Sequence, residues 1–315
     1  MYDLVIIGAG PAGLTASIYA SRYRLKNLII GKLLGGTITW AHKVENFPGF
    51  TSISGFELGQ KMKEQVKSLG AEIISEEVQK ILKEANGFKV MTFSGKVFLS
   101  KSLILATGTQ RRKLGIPGEE EYLGKGVSYC TTCDAPFFKD KTLVLVGGSN
   151  AACSGAVHLT EYAKKVFLVY RKSQLRAEPA WVEEVKNQPK IEIVYETNLV
   201  EILGDGQKVT GIKFDQPYQG KTNLAAEGVF IEIGGEPTAA LVKNLGVEFD
   251  EGGYLVVNER METDLSGLFA AGDVTNKSKK IAQAVIASAQ GAQAALSAYE
   301  YLKSKKLGEN LITKK

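Results

Sequence analysis

The sequence is short of cysteine and histidine and has no long apolar run. Only three cysteines and two histidines occur among its 315 residues, too few for a framework of structural disulfides. No uninterrupted apolar segment approaches the roughly 18 residues that a membrane span needs. The first strand pattern begins at Asp3, which leaves no room for a signal peptide. We therefore expect a soluble, cytoplasmic protein with no membrane partner.

An excess of charge of one sign is also missing. The net charge of +5 is small for a chain of this length, and its lysine pairs are scattered rather than aligned in one stripe. Such a distribution gives no basis for binding nucleic acid. Hydrophobic residues make up 44% of the chain and charged residues 23%, which indicates one large or two medium-sized domains with hydrophobic cores.

Two of the cysteines, Cys130 and Cys133, lie three positions apart in the stretch "GVSYCTTCDAPFF", residues 126 to 138. In a reducing compartment, a close pair is more typical of catalysis or metal binding than of a structural bridge. A structural zinc site would need two further ligands, and Cys153, His42 and His158 form no second pair. The sequence therefore predicts no metal. A redox pair and two buried sulfurs remain as interpretations, and the polar residues around the pair favour the first.

One strand-turn-helix pattern occurs twice along the chain. The first copy is "LVIIGAGPAG" followed by an apolar helical pattern, and the second is "TLVLVGGSNAACSGAVHLTEYA", which begins at Thr142. Each copy continues into a second strand and then into short strands separated by the turn signals "ANG", "SGK", "GDGQ" and "YQGK". The repeat predicts an α/β fold with two Rossmann-like dinucleotide-binding domains of the three-layer ββα type.

The first glycine turn has the spacing of a dinucleotide-binding fingerprint. Gly8 permits the tight turn, Gly10 lets backbone N–H groups approach a pyrophosphate, and Gly13 allows the helix to pack closely on the strand. Taken alone the pattern is weak, because glycine-rich turns also serve packing. No acidic residue ends the second strand in "NLIIGKLLGG", which weakens the case for NAD at this position.

A third segment, "SGLFAAGDVTN", places Asp273 at the end of an apolar strand and before a long helix of small residues. A carboxylate there could bind a ribityl hydroxyl, and the start of the helix could favour a reduced flavin anion. An ordinary strand-to-helix turn is the alternative. Because this segment follows the second copy, the second domain must be inserted into the first. We place the first domain at residues 1–115 and 245–315, and the inserted domain at residues 116–244.

Five motifs, "GAGPAG", "VENFPGF", "ATG", "GVSYCTTCD" and "LFAAGDV", occur in this order. Together they resemble the low-molecular-weight thioredoxin reductases over essentially the whole chain. The resemblance implies a homodimeric FAD enzyme in which a pyridine-nucleotide domain carrying Cys-x-x-Cys is inserted into an FAD domain. It also implies a large domain rotation that presents either the nicotinamide or the cysteine pair to the flavin.

The same resemblance implies an FAD site drawn from three segments. Its residues are Gly8, Gly10, Ala12 and Gly13 in the first turn, Gly35, Gly36, Thr37 and Asn46 in the following loops, and Asp273, Gln283 and Ala284 near the C-terminus.

Unequal roles for the two cysteines are also implied by the resemblance. Cys133 would be the flavin-side sulfur, Cys130 would attack the thioredoxin disulfide, and Asp134 would exchange protons with the thiolate. The chemistry agrees, because Cys-x-x-Cys geometry commonly lowers one thiol pKa from about 8.5 toward 7. Such dithiols are poised around −270 mV, and a neighbouring carboxylate can serve as general acid and base. A purely helix-capping Asp134 is the alternative.

The second glycine turn departs from the family pattern. In "GGSNAAC", Ser149 replaces the middle fingerprint glycine, and its side chain would crowd a pyrophosphate lying on the turn. Ser154 and Gly155 stand where the family has acidic residues early in the helix. The nucleotide contacts expected on this turn are Gly147, Asn150 and Ala151.

After the next strand, "VYRKSQLRAE" is similar to the family's His-Arg-Arg-x-x-x-Arg signature for the 2′-phosphate of NADPH. Tyr170 replaces the histidine, whereas Arg171, Lys172 and Arg176 match in charge and suit a phosphate dianion. A solvated basic loop is the alternative.

The sequence therefore predicts a thioredoxin reductase-like enzyme that passes electrons from NADPH through FAD and the Cys130–Cys133 pair to a thioredoxin-like protein. Two alternatives remain. One is the same disulfide reduction driven by another donor, such as reduced ferredoxin. The other is a flavin-binding redox sensor without catalytic turnover.

Overall fold

The structure is a computed structural model that describes residues 1–279 and 281–312. The chain forms two compact units. The first contains residues 1–39, 44–110 and 236–315, and the second contains residues 40–43 and 111–235. Apart from the short segment 40–43, the second unit is an insertion in the first. Within the described ranges, no helix combines the length and the apolar character needed to cross a membrane.

Strands and helices are numbered separately along the chain. The strands are β1 (Tyr2–Ile7), β2 (Asn27–Ile30), β3 (Glu72–Ile74), β4 (Val78–Glu84), β5 (Gly87–Thr92), β6 (Val97–Leu105), β7 (Thr109–Arg111), β8 (Val127–Ser128), β9 (Thr142–Val146), β10 (Lys165–Tyr170), β11 (Ile191–Tyr195), β12 (Leu199–Gly204), β13 (Val209–Tyr218), β14 (Lys221–Ala225), β15 (Gly228–Ile231), β16 (Gly235–Pro237) and β17 (Leu268–Ala270). The helices are α1 (Pro11–Arg22), α2 (Gly55–Ser68), α3 (Thr131–Asp134), α4 (Asn150–Leu159), α5 (Pro179–Asn187) and α6 (Ala284–Ile312).

The first unit is built on a sheet in the order β3-β2-β1-β6-β5-β4, with β17 also pairing with β6. Strands β3, β2, β1, β6 and β17 run parallel, whereas β5 is antiparallel to both of its neighbours, β6 and β4. The last four residues of β1 and all of β2 are buried, as expected for parallel strands covered on both faces. The carboxyl ends of β1, β6 and β17 therefore lie side by side.

Helices α1 and α6 pack against each other in the first unit. The contact depends on Gly291, because a Cβ added there would lie 2.1 Å from the carbonyl oxygen of Ala12. Small residues dominate α6 up to this point, which lets the two backbones approach closely. The packing holds the start of α1, and with it the first glycine turn, against the C-terminal segment.

The second unit contains a parallel sheet in the order β11-β10-β9-β15-β8 and an antiparallel sheet in the order β12-β13-β14. From β9 the chain adds β10 and β11 on one side, and later adds β15 on the other side, between β9 and the earlier strand β8. The order therefore reverses between β9 and β15, and in open α/β sheets ligands bind outside the carboxyl ends of strands at such a point.

The predicted α/β fold with two dinucleotide-binding units, the second inserted into the first, is confirmed. The turns predicted among the short strands are confirmed as well, since β4–β5, β5–β6, β12–β13 and β13–β14 are antiparallel neighbours. Strands β7 and β16 pair with each other in a separate two-stranded sheet. They lie at the two borders of the inserted segment 111–235.

Candidate active site

The close cysteine pair forms a disulfide, with Cys130 and Cys133 joined across α3. Cys130 follows the end of β8 and caps the helix, and its Sγ accepts a hydrogen bond from the backbone N–H of Cys133 at 3.1 Å. A hydrogen bond donated to sulfur favours the thiolate over the thiol, because it stabilises the charged form. On reduction, this arrangement would support a nucleophilic thiolate at Cys130.

Asp134 is connected to the pair through Ser128, which the sequence interpretation missed. The hydroxyl of Ser128 donates to Oδ2 of Asp134 at 2.6 Å, and the backbone N–H of Cys130 donates to the same hydroxyl at 3.0 Å. Ser128 is buried at the end of β8, so this geometry is fixed by the sheet. The Ser128 hydroxyl therefore bridges the Asp134 carboxylate and the backbone of Cys130, and it fixes the position of that carboxylate.

A buried carboxylate, Glu119, holds the segment just before the disulfide. It is 2% exposed and accepts from the backbone N–H groups of Leu114 and Gly115 at 2.8 and 2.6 Å, and from the hydroxyl of Tyr129. Burial, together with the hydrogen bond to Glu119, raises the pKa of Tyr129 well above its usual value. Tyr129 is therefore a neutral donor that fixes the residue preceding Cys130.

A cavity of about 290 Å³ opens beside the disulfide within the second unit. Its lining includes Trp40, Leu123, Tyr129, Cys130 and Asp134. The cavity gives space next to Cys130 for a group that approaches the sulfur.

The first glycine turn, in the first unit, has the shape of a pyrophosphate cradle. A Cβ at Gly8, whose φ is +114°, would lie 2.1 Å from the carbonyl oxygen of Ala106, and one at Gly13 would lie 1.9 Å from that of Gly8. At Gly10 the nearest atom would be 3.6 Å away. Backbone packing therefore requires glycine at Gly8 and Gly13, whereas Gly10 leaves the turn open to a ligand.

The structure brings most of the predicted FAD residues to this turn. Gly35 donates its N–H to the carbonyl of Ala9 at 2.9 Å, and Gly36 lies so close to Gly10 that a Cβ on it would be 2.6 Å from that residue's Cα. Thr37 continues the same loop as the start of a 3-10 turn. Ala12 faces Gly272, the residue before Asp273: a Cβ at Gly272 would lie 2.9 Å from that of Ala12.

Two further predicted residues, Asn46 and Gln283, contact each other in the first unit. The side-chain amide of Asn46 donates to Oε1 of Gln283 at 3.0 Å, although the two are 237 positions apart in sequence. Ala284 is the first residue of α6. The sequence interpretation missed Gln290, a buried residue whose Oε1 accepts from the N–H of Gly272 at 2.8 Å and thereby positions the turn that carries Asp273.

Asp273 carries a buried side-chain oxygen, Oδ1, that has no hydrogen-bond partner among the described residues. Burial raises the pKa of this carboxyl from 3.8 to about 6. An orphaned carboxylate oxygen is costly unless a ligand donates to it. Its position at the carboxyl end of β17, in the same sheet as β1, fits a ligand with hydroxyl donors such as the ribityl chain of FAD.

We expect replacement of Asp273 by asparagine to have opposite effects on the free protein and on its complex with FAD. The raised pKa means that the folded FAD-free protein holds the proton more tightly than the unfolded chain. The free energy of unfolding of the FAD-free protein is therefore highest at low pH and falls as the pH rises between about 4 and about 6. The variant should remove this penalty, which is up to about 3 kcal/mol for a shift of this size, and raise the melting temperature of FAD-free protein at pH 8 but not at pH 4.

The same variant should bind FAD about tenfold more weakly, since a charged hydrogen bond is worth about 1.4 kcal/mol more than a neutral one. Fluorescence titration of FAD-free protein measures this affinity. The matched control is Asp264→Asn, an exposed carboxyl of the same unit, which should change neither quantity. Unchanged FAD affinity in Asp273→Asn would show that the carboxylate does not contact the cofactor.

The second glycine turn is closely packed by other residues of the second unit. A Cβ at Gly147 would lie 2.3 Å from the carbonyl oxygen of Glu232, and one at Gly148 would lie 2.6 Å from the ring of Tyr170. Ser149 caps α4 without a side-chain capping bond. Asn150 and Ala151 then form the first turn of that helix. Thus Tyr170, which replaces the family histidine, packs against the turn.

The basic segment after β10 folds back onto this turn. The N–H of Arg176 donates to the carbonyl of Gly148 at 2.8 Å. The side chain of Asn150 forms two hydrogen bonds of 2.8 Å with Glu178, one to its carboxylate and one from its N–H. Arg171, Lys172 and Arg176 are exposed and form no ion pair with another described residue. The segment therefore presents three cations near the turn, but it also places a carboxylate at the start of α4.

A buried ion pair, missed from the sequence, lies at the point where the strand order of the second unit reverses. Glu232 directly follows β15 and is 4% exposed, and it forms a two-pronged salt bridge with Arg111. Burial raises the pKa of Glu232 to about 7, against the opposing effect of Arg111. The signal in the sequence was a charged residue inside the apolar stretch "VFIEIGG", which a buried partner explains.

Comparison with known proteins agrees with this geometry. The family described as "Pyridine nucleotide-disulphide oxidoreductase" matches residues 2–291. A curated thioredoxin reductase of Listeria monocytogenes is 41% identical over 97% of this chain and 95% of its own length. The crystal structure of Lactococcus lactis thioredoxin reductase is similar with a TM-score of 0.92 and 37% identity, over 96% of this chain and 100% of that one.

A ferredoxin-flavin thioredoxin reductase of Clostridium acetobutylicum is also similar. Its TM-score is 0.52 and its identity 35%, over 96% of this chain and 98% of the other.

The chain belongs to the pyridine nucleotide-disulphide oxidoreductase family. The resemblance inferred from the five motifs and the prediction of a thioredoxin reductase-like enzyme with a redox disulfide are confirmed by these relatives. Membership of this family implies the use of a flavin and a pyridine nucleotide. The residues assigned to individual contacts remain predictions.

Proposed function

We propose that the protein is an NADPH-dependent thioredoxin-disulfide reductase. It would pass electrons from NADPH through FAD to the Cys130–Cys133 disulfide, and from there to thioredoxin or a thioredoxin-like protein. The observation that carries the proposal is the disulfide itself, held across α3 with Asp134 positioned through Ser128. The proposal includes a cytoplasmic location, which is the expectation from the sequence pattern, and a homodimer, which the family resemblance implies.

The residues of the first unit have the chemical character that an FAD site needs. Gly8, Gly10 and Gly13 would admit its pyrophosphate at the start of α1, where unpaired backbone N–H groups favour an anion. Asp273 would accept hydrogen bonds from ribityl hydroxyls through its orphaned oxygen. FAD, when bound, supplies the transfer of electron pairs between the nucleotide and the disulfide.

The chemistry at sulfur follows from the residues around the pair. In the reduced state, Sγ of Cys130 attacks one sulfur of the substrate disulfide, and the other substrate sulfur leaves as a thiolate. Asp134 can deliver a proton to a leaving sulfur as general acid. Sγ of Cys133 then attacks Cys130 in the mixed disulfide, which restores the Cys130–Cys133 disulfide and releases the second substrate thiol. One dithiol is thus oxidised for each substrate disulfide reduced.

A second candidate, the same reaction driven by a donor other than a pyridine nucleotide, is favoured by one observation. The Glu178 carboxylate lies within 2.8 Å of the Asn150 amide, at the start of α4, where the pyrophosphate of a nucleotide would lie. A fixed negative charge there repels a pyrophosphate, and Ser149 adds side-chain bulk. Among the similar structures is one whose name specifies ferredoxin as a partner.

Anaerobic reductive titration distinguishes these candidates. We expect NADPH to reduce the flavin of the holoenzyme, followed by its absorbance, and then to sustain turnover of thioredoxin disulfide. If the flavin stays oxidised in NADPH but is reduced by dithionite or ferredoxin, and the reduced enzyme still cleaves the thioredoxin disulfide, the second candidate replaces the first. Reduction without any disulfide turnover would instead indicate a redox sensor.

A further inference from the structure

The two histidines of the chain, His42 and His158, lie face to face in the second unit. Their ring centroids are 3.8 Å apart and their planes are inclined by 16°. The sequence showed no partner for either residue. The chain contains no other histidine, so the structure brings both of its imidazole rings together at one point of the second unit.

A carboxylate completes the group. Oε1 of Glu161 lies 3.5 Å from Nε2 of His42 and 3.5 Å from Nδ1 of His158. One ligand atom from each of the three residues lies within 4.8 Å of the other two. In a tetrahedral site with metal–ligand bonds of about 2.1 Å, neighbouring ligand atoms are about 3.4 Å apart. The two distances to Glu161 therefore already match a zinc-sized ion.

The buried histidine has a nitrogen that lacks a hydrogen bond. His158 is 4% exposed, and its Nδ1 is a buried polar atom without a hydrogen-bond partner among the described residues. Burial, and then the neighbouring His42, lower the pKa of His158. A neutral imidazole is the form that binds a transition metal.

We propose that His42, His158 and Glu161 form a binding site for a divalent transition metal ion of the zinc class. Two nitrogens and one carboxylate oxygen are ligands that zinc accepts, and three protein ligands leave a fourth position for water. His158 and Glu161 are three positions apart at the end of α4 and project from a fixed backbone. His42 is exposed, so its ring can turn out of the stack to point its lone pair at the ion.

The location would couple a bound ion to the redox site. His42 lies in segment 40–43, and the carbonyl of Trp40 in this segment accepts a hydrogen bond of 2.7 Å from Thr132, which lies between the two cysteines. A Cβ at Gly155 of α4 would lie 3.0 Å from the side chain of Thr131. An ion at the histidines would therefore fasten this segment to α4 directly beside α3. We expect it to slow disulfide turnover.

Calorimetric titration of the oxidised, FAD-loaded enzyme with Zn²⁺ tests the site, because the disulfide prevents the two cysteines from binding the metal. We expect one Zn²⁺ per chain. His42→Ala and Glu161→Gln should each weaken binding by about 100-fold. Both positions are exposed, so these variants should fold. The matched control Glu184→Gln, an exposed carboxyl on α5, should bind zinc as the parent enzyme does.

Nitrogen NMR of enzyme labelled only at histidine gives an independent readout, since two rings produce two sets of signals. Zinc should shift the signals of both rings, and it should not shift the His158 signals in Glu161→Gln at the same concentration. Binding that persists in His42→Ala, that requires reduction of the disulfide, or that leaves either ring unshifted would overturn the proposal. Absence of binding at millimolar Zn²⁺ would do the same.

Discussion

Replacing Cys130 or Cys133 with serine should abolish thioredoxin-dependent turnover, with a loss of more than about 1,000-fold, as when a catalytic nucleophile is removed. The two variants should nevertheless differ. The Cys130→Ser enzyme keeps the sulfur assigned to the flavin side, and its thiolate should give a long-wavelength charge-transfer band. The Cys133→Ser enzyme keeps Cys130, whose sulfur accepts a hydrogen bond from a backbone N–H in the disulfide form, and it should trap a mixed disulfide with thioredoxin.

Absorption spectra and non-reducing electrophoresis measure these outcomes. The control is Cys153→Ala, because Cys153 is a buried free cysteine whose pKa is raised to about 11 by burial. Such a thiol is not a nucleophile at neutral pH, so this variant should retain turnover. A charge-transfer band in Cys133→Ser instead of Cys130→Ser would exchange the two roles. Bands in neither variant would argue that the pair does not reach the flavin.

The second large effect concerns the nucleotide. Replacing Arg171 and Arg176 together with alanine should raise KM for NADPH by about 100-fold or more and leave KM for NADH nearly unchanged. A well-formed charged hydrogen bond is worth about 1.5 to 3 kcal/mol, and two of them account for a factor of this size. Both side chains are exposed and free of ion pairs within the described residues, so they are available to a 2′-phosphate, which NADH lacks.

Steady-state kinetics with both nucleotides checks this selectivity, and Lys186→Ala, which removes an exposed cation from α5, serves as the control. Ser149→Gly and Glu178→Gln should instead lower KM for both nucleotides, because each removes an obstacle to the pyrophosphate that NADPH and NADH share. An equal increase in KM for NADPH and NADH in the double arginine variant would mean that the basic segment does not bind the 2′-phosphate.

Patterns that repeat over short distances predicted the fold. The two glycine turns, the hairpin signals and the apolar strands all depend on neighbouring residues, and the packing around Gly8 and Gly13 shows why those positions need glycine. The same local logic identified Cys130, Cys133 and Asp134 as a candidate redox site. The late strand with Asp273 was recognisable because its residues form one continuous motif.

Pairs that meet only in the folded chain could not be predicted in this way. Arg111 and Glu232 are separated by 121 positions, and neither shows in its own surroundings which partner it will find. His42 and His158 come together for a similar reason, from a loop and a helix with no shared motif. Ser128 was overlooked because a serine two positions before a cysteine has no distinctive pattern, and its role depends on how β8 ends.

The interrupted arrangement of the first unit also governs the order in which the protein can fold during synthesis. Residues 103–105 of β6 pair with residues 268–270 of β17, so the sheet that carries the first glycine turn stays incomplete until the ribosome has made nearly the whole chain. Closing such a long loop in an unfolded chain costs entropy. The inserted unit, residues 111–235, emerges earlier, and its folding brings the two ends of that loop together, since β7 and β16 pair at its borders. Folding of the inserted unit therefore lowers the entropic cost of completing the first.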